Sequence, residues 1–320
     1  MPANVSALST YVDMNRKELL AKSIAGANSF QTSFVEIISG IKPGTSVLRK
    51  FIANTPSYNW DAGCGEPSGS TTVFTEKSLS TTLVMVGDQW CAADLTAKLA
   101  NYMPAGSDLE GFEIPNEVID DIVAQIARDN ALAFYQAGRS TAPSNGVSNN
   151  MTGVLKRLIN TSLSGSTFKP TSTYTAITAT NAIAAVDDFV ANIPAAIQGL
   201  QLEMRVPTDF FNALKTAYRN TYGAGSMEFV PGVIDNYKLL GYDNILVRRD
   251  DGLASSKVAL LSVADKGNLI LNVDAEGDSG EVAVWYDKTK DKTMYRIKFA
   301  LGTQIKFETE VGVLNYGSAN

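Results

Sequence analysis

The sequence predicts an α+β fold: two lobes and a long protruding β-hairpin. Three features of the order predict it. A Gly/Ser/Thr-rich excursion over about 44–86 carries strand-like runs around an irregular tip. An amphipathic helix over about Asn116–Ala137 lies in mid-chain, and Lys257–Leu314 is nearly pure β pattern. At 320 residues and 45% hydrophobic, the chain can fill two cores and has no disordered composition.

Residues 1–12 are small and polar and read as a loose arm. A helix is expected from Asn15, with Asn15 and Glu18 as a capping box. Leu19, Leu20, Ala27, Phe34, Ile37 and Ile38 form its imperfect apolar stripe, and Gly40 and Pro43 stop it. Val47–Ile52 is a short strand, Asn54–Ser70 is rich in Pro, Gly, Ser and Asn around Tyr58 and Trp60, and Thr71–Val86 is rich in β-branched residues. Two strands with a long tip have too few neighbours to be stable alone. Such an arm needs another surface; the plainer alternative is an ordinary surface loop with a packed aromatic.

Asp94 can cap a helix reaching Tyr102, and Pro104–Gly111 is a turn. Ile114-Pro115-Asn116-Glu117 opens the central helix, since proline and acids suit a first turn. Val118, Ile119, Ile122, Val123, Ile126, Ala133 and Phe134 share one face, and Gly138 ends the helix. Asp120, Asp121, Arg128 and Asp129 fall on the other side. Asp120 and Asp121 point about 100° apart, so they form no acid/base pair and read as solvated surface.

Ser140–Asn150 is a polar linker, and residues 151–240 read as a separate α/β lobe. Within it lie a helix Ala182–Ile193, a strand Gln201–Val206, and a helix capped by Thr208 with Phe210, Phe211, Leu214 and Tyr218. Asn244–Arg249 is a strand leaving the lobe. Beyond Lys257 the period is two: Tyr295, Ile297, Phe299 and Leu301 alternate with polar residues, as do Ile305, Phe307, Thr309, Val311 and Val313. The turn Lys288–Lys292 joins Val282–Tyr286 to Tyr295–Leu301.

The composition removes many chemistries. With no histidine, Ser-His-Asp and Cys-His triads and His-ligated metal sites are excluded. Cys64 and Cys91 are too few for a four-cysteine zinc site and lack CxxC spacing, so they read as ordinary reduced thiols, with an intersubunit bond as the alternative. No apolar run of 18 residues spans a membrane, and the start lacks a signal-peptide pattern, so a cytoplasmically made protein is expected. Asp274–Gly280 resembles a calcium loop, but Ser279 and Trp285 stand where glycine and an acid are needed. Gly223–Ser226 lacks the lysine of a phosphate loop. No cofactor and no catalytic or metal site is expected.

The net charge is −6 and unevenly spread. Residues 1–60 hold six basic groups (Arg16, Lys17, Lys22, Lys42, Arg49, Lys50) and three acids, so the remainder is net −9. This basic segment is either a solvated face or an arm that docks on acidic surfaces of a neighbouring copy or lies near DNA.

Met204-Arg205-Val206-Pro207-Thr208-Asp209-Phe210-Phe211 resembles the strand–Pro–Thr–helix step of the axial lobe in tailed-bacteriophage major capsid proteins. Lys238–Tyr242 followed by Ile245-Leu246-Val247 resembles the segment that leaves that lobe. Ala264–Ile270 with the acidic turn after it is similar to a passage in capsid proteins of some phages of Bacteroidetes-type hosts. The likeness spans roughly residues 15–315, and the hairpin before the long helix is its strongest part. It implies an HK-97-like capsid fold: an N-terminal arm (1–43), an extended loop (44–86), a peripheral domain (87–144 and 246–320) with a long spine helix and strands, and an axial domain (145–245).

The resemblance implies a structural, non-enzymatic subunit that self-assembles into hexamers and pentamers of an icosahedral shell around double-stranded DNA. Assembly in the bacterial cytoplasm, residence in the virion, a portal, and a separate scaffolding protein are expected with it, because too few residues precede the loop to hold a scaffolding segment. Inter-subunit contacts are expected at Arg49, Lys50, Tyr58, Trp60, Glu76 and Lys77. An encapsulin-type compartment binding cargo peptides is the runner-up. A carboxylate-based enzyme, which needs two carboxylates facing a cleft, and a β-rich tail or adhesion protein are the readings of other classes.

Overall fold

The computed structural model describes residues 6–30, 33–54, 73–90, 116–139, 151–159, 167–223, 236–239, 241–265, 267–275, 280–290 and 292–317. The expected helix Asp94–Tyr102, the turn Pro104–Gly111, the residues 114–115, the linker 140–150, the hairpin tip 55–72 and both cysteines lie outside them.

Helix α1 runs Ser6–Ala25. It corrects two expectations. The segment read as a loose arm is helical from Ser6, because Leu8 and Val12 extend the apolar stripe of Leu19 and Leu20, and all four are buried. Asn15 is no cap: its amide donates back to the Tyr11 carbonyl at 2.9 Å, and Glu18 pairs with Lys22 at 2.8 Å. The helix ends at Ala25, so Phe34, Ile37 and Ile38 belong elsewhere. Strand β1 (Val35–Ser39) takes the β-branched run and lies parallel to β9 (Leu269–Asp274).

Strands β2 (Ser46–Asn54) and β3 (Val73–Ser80) pair antiparallel as the hairpin. Strand β4 (Thr82–Trp90) follows after one residue and pairs with the long strand β11 (Lys292–Ile305). On its other side β11 carries β9 and β10 (Glu281–Asp287). Helix α2 (Asn116–Gln136) packs with α1 over this sheet, and Gly138 closes it in a left-handed conformation at φ +76°. Ile119, Val123, Ile126 and Phe134 share a core with Leu8, Leu19, Val284 and Phe299.

The second sheet has the order β12-β8-β5-β7-β6. It comprises β5 (Leu202–Val206), β6 (Asn236–Leu239), β7 (Tyr242–Arg249), β8 (Val258–Val263) and β12 (Gly312–Asn315). The helices α3 (Val154–Ile159) and α4 (Ala182–Ala191) precede β5 in the chain, and α5 (Thr208–Tyr222) follows it. Helices α4 and α5 cover one face, placing Phe189, Phe210 and Leu214 against Met204 and Val247. Pro207, not Thr208, stands at the cap of α5, and Thr208 is its first helical residue.

Two further expectations change here. Asn244–Arg249 does not leave this lobe; as part of β7 it runs parallel to β5 inside the sheet. The alternation from Ile305 to Val313 is not one strand. Strand β11 ends at Ile305, a 3-10 turn spans Glu308–Glu310, and β12 joins the other sheet. Asn268 holds this crossing: its Oδ1 accepts from the Phe307 amide at 2.9 Å, and its Nδ2 donates to the Phe307 carbonyl at 2.9 Å.

Strand β8 shows how the cores meet. All six residues are buried. Val258 and Leu260 join the core of α1 and α2, while Ala259, Leu261 and Val263 join the core of α4 and α5. Successive side chains point to opposite faces, so this sheet is covered on both sides and its strand reads as a continuous apolar run.

Candidate assembly surface and the buried network behind it

Among the described residues, β2 and β3 pair only with each other. Their ladder runs from Ser46 opposite Ser80 to Asn54 opposite Val73, with a register shift between Ile52 and Asn54. Leu48 on β2 is 69% exposed, and Val47 is exposed beside it. On β4, Leu83 and Met85 are exposed while Val84 between them is buried against the core. These apolar side chains lie on outward faces, where no sheet or helix among the described residues covers them.

Four of the six expected contact residues fall on this ladder. Arg49 stands opposite Lys77, and Lys50 opposite Glu76. Lys50 Nζ and Glu76 Oε1 form an ion pair at 2.9 Å, both more than half exposed. Lys77 turns away from Arg49 and pairs with Glu308 of the 3-10 turn, which ties the base of the hairpin to the body. Tyr58 and Trp60 lie outside the described residues. Val47, Leu48, Leu83 and Met85 were missed by the charge argument. The signal for Val47 and Leu48 was two successive apolar residues, hence on opposite faces, in a two-stranded ribbon; Leu83 and Met85 share the outer face of β4.

Asp120 also departs from expectation. It accepts a hydrogen bond from the Tyr11 hydroxyl at 3.0 Å, linking α2 to α1, whereas Asp121 is exposed. Burial first, and then the Asp120 bond, raise the Tyr11 pKa.

Behind the surface, a buried polar network joins the two cores. Asp250, just after β7, is fully buried and receives four hydrogen bonds. They come from Ser29 Oγ at 2.5 Å, Tyr135 Oη at 2.9 Å, the Gly252 amide at 2.9 Å and Arg205 Nη1 at 2.9 Å. Arg205 on β5 is itself fully buried, pairs with Glu203, and lies 5.0 Å from the centre of the Phe34 ring. Glu203 also pairs with Arg248 at 3.1 Å. Burial works against the Arg205 charge, but Asp250, Tyr135 and Glu203 outweigh it and raise its pKa. Burial and the neighbouring Asp250 push the Tyr135 phenol well above its ordinary range. The network is a structural cross-tie between β5, β7 and α2. Among the described residues no group of three or more acidic or thiol side chains is placed to hold a metal ion.

No family model matches the sequence, and no curated protein matches it. Solved structures do match. A chain of the satellite phage P4 procapsid, a structure that includes size determination (Sid) protein, superposes with a TM-score of 0.58 at 12% identity, covering 96% of this chain and 99% of that one. The capsid of the native GTA particle gives a TM-score of 0.54 at 14% identity, with 89% of each chain covered. The capsid of Myoviridae phage XM1 gives 0.54 at 10% identity, covering 88% of this chain and 89% of that one. At such identities the likeness is one of fold. The chain has the α+β fold found in these phage capsids, of the HK-97-like kind expected from its sequence.

Proposed function

We propose that the protein is a major capsid protein: a structural, non-enzymatic subunit that self-assembles into the hexamers and pentamers of an icosahedral shell around double-stranded DNA. The observation that carries this reading is the end-to-end match of its fold to a procapsid chain, with almost nothing left over on either side. The hairpin supports it, since a two-stranded ribbon with exposed Val47 and Leu48 gains stability by lying on another copy.

In this reading residues 1–43 and 44–86 form the arm and extended loop, 87–144 and 246–320 the peripheral domain, and 145–245 the axial domain, with β7 crossing the boundary and β8 and β12 in the same sheet shared between the last two. Arg49, Lys50, Tyr58, Trp60, Glu76 and Lys77 lie toward neighbouring subunits. A separate scaffolding protein and a portal are partners, assembly takes place in the bacterial cytoplasm, and the virion is the final location. Negative-stain microscopy and sedimentation of the purified protein, alone and with a candidate scaffold, test the reading. Capsomers or closed shells are expected. A protein that stays monomeric in every condition overturns it.

A further inference from the structure

Residues 130–186 contain Arg139, Lys156, Arg157 and Lys169 and not one aspartate or glutamate, in a chain with 33 acidic residues and a net charge of −6. The fold places two of these cations, adjacent on α3, beside a cavity of about 300 Å³. Its walls come from α3, the corner between β3 and β4, and β11. Ser80, Thr82 and Thr152 supply hydroxyls that can donate, that of Thr303 being used on the Thr152 carbonyl, and among the described residues no carboxylate lines it.

Both cations are held in place by the rest of the wall. Arg157 Nε donates to Thr303 Oγ1 at 3.2 Å, and that hydroxyl donates to the Thr152 carbonyl, so the guanidinium is anchored through β11. The Lys156 stem lies across Gly138, where a Cβ would stand 2.9 Å from its Cδ. Lys156 is half-buried, and among the described residues its ammonium has no hydrogen-bond or ion-pair partner. Three other lysines near this sheet are matched: Lys77 has Glu308, Lys298 has Glu281 and Lys306 has Glu36. Burial lowers the Arg157 pKa, the direction a nearby anion would reverse. A partly buried ammonium such as that of Lys156, with no counter-charge among the described residues, is unfavourable. Hydroxyl donors and two cations around a small cavity are the chemistry that holds a tetrahedral oxyanion.

We propose that this cavity binds a phosphate group, held by Lys156 and Arg157 and oriented by the surrounding hydroxyls. The group is supplied either as a free phosphate ion or as a phosphodiester of a DNA backbone. Binding of the free ion does not depend on the shell reading; only the DNA source does.

The experiment uses the full-length protein in phosphate-free, low-salt buffer. Inorganic phosphate is titrated calorimetrically, and a short DNA duplex is titrated in a second arm. Wild type should bind phosphate saturably, and Lys156→Gln should weaken it at least tenfold while leaving the melting temperature without phosphate unchanged, because among the described residues Lys156 has no partner to lose. Lys169→Gln, at a separate cavity, should bind as wild type does. If the duplex displaces phosphate, and Lys156→Gln reduces the slope of log K against log salt by about one, the source is DNA. If the duplex does not displace it, the site takes the free ion. No saturable binding of either probe, or equal binding by wild type and Lys156→Gln, overturns the proposal. A protein that forms shells yet binds no phosphate would lose this site and keep the shell reading.

Discussion

Removing Asp250 should show how much the buried network contributes. Asp250→Ala deletes four accepted hydrogen bonds and leaves Arg205 fully buried against Glu203. Stripping one partner from a buried ion pair costs roughly 3–5 kcal/mol. The orphaned Ser29 and Tyr135 hydroxyls add about 1–3 kcal/mol each where water cannot reach them, while Glu203 retains part of the Arg205 charge balance, so about 4–6 kcal/mol is expected. Arg205→Met should cost less, about 3 kcal/mol, because Asp250 keeps Ser29, Tyr135 and the Gly252 amide as donors. The double variant tests the logic. With neither charge present, no uncompensated ion of this pair remains, so its cost should fall short of the sum of the two by at least about 1.5 kcal/mol. Urea unfolding followed by far-ultraviolet circular dichroism, with unchanged m-values, supplies the three numbers. Strict additivity, or an Asp250→Ala cost below about 1 kcal/mol, would refute the claim that these groups act as one unit.

Four other outcomes are expected. Ile119 is fully buried whereas Ile122 is only partly so; Ile119→Asp should therefore lose several kcal/mol and solubility, with Ile122→Asp clearly milder in the same dichroism melt. Lys50→Glu places two acids opposite each other on the hairpin, and because the Lys50–Glu76 pair is exposed it should change subunit stability by at most about 1 kcal/mol while altering the salt dependence of assembly in light scattering. Burial pushes the Asp209 carboxyl up, but its bonds from Lys257 at 2.5 Å and Tyr316 at 3.0 Å outweigh this and hold it below the usual range. A depressed folded pKa means that its stabilisation is complete above the unfolded value near 3.9 and is lost as pH falls through the folded one, so Asp209→Asn should flatten the acid limb of the stability curve below about pH 4 and leave alkaline stability alone. A Cβ at Gly302 would stand 1.9 Å from the Ser80 carbonyl oxygen, so Gly302→Ala should cost about 1–3 kcal/mol by parting β11 from the hairpin base, read as a lower unfolding midpoint.

Local chemistry made much of this fold legible in advance. The central helix was readable because its apolar residues recur on one face, its first turn is acidic and a glycine follows it. The hairpin strands were readable because β-branched runs flank a Pro/Gly/Ser-rich tip. The lack of histidine restricted the chemistry without any structure. Errors came where one pattern serves two environments. The alternation from Ile305 to Val313 looks continuous because both halves have period two, and only the Asn268 clasp on Phe307 shows that the chain changes sheets there. Val35–Ser39 continued a helical stripe on paper, yet it was claimed by β9, a partner more than 230 residues away in sequence.

The candidate surface divides the same way. The sequence named Arg49, Lys50, Glu76 and Lys77 as expected contact residues, but it could not foresee that Lys77 pairs with Glu308 and that Lys50 and Glu76 answer each other. Nor could it find Asp250 and Arg205, since an isolated Asp or Arg in a sequence is most often solvated. By itself the sequence determined the elements whose information is local: periodicity, turn residues and the absence of histidine. The tertiary structure alone decided which charges are buried, which strands share a sheet and which charges pair, because those depend on residues brought together across hundreds of positions by the packing of two cores on opposite faces of one sheet.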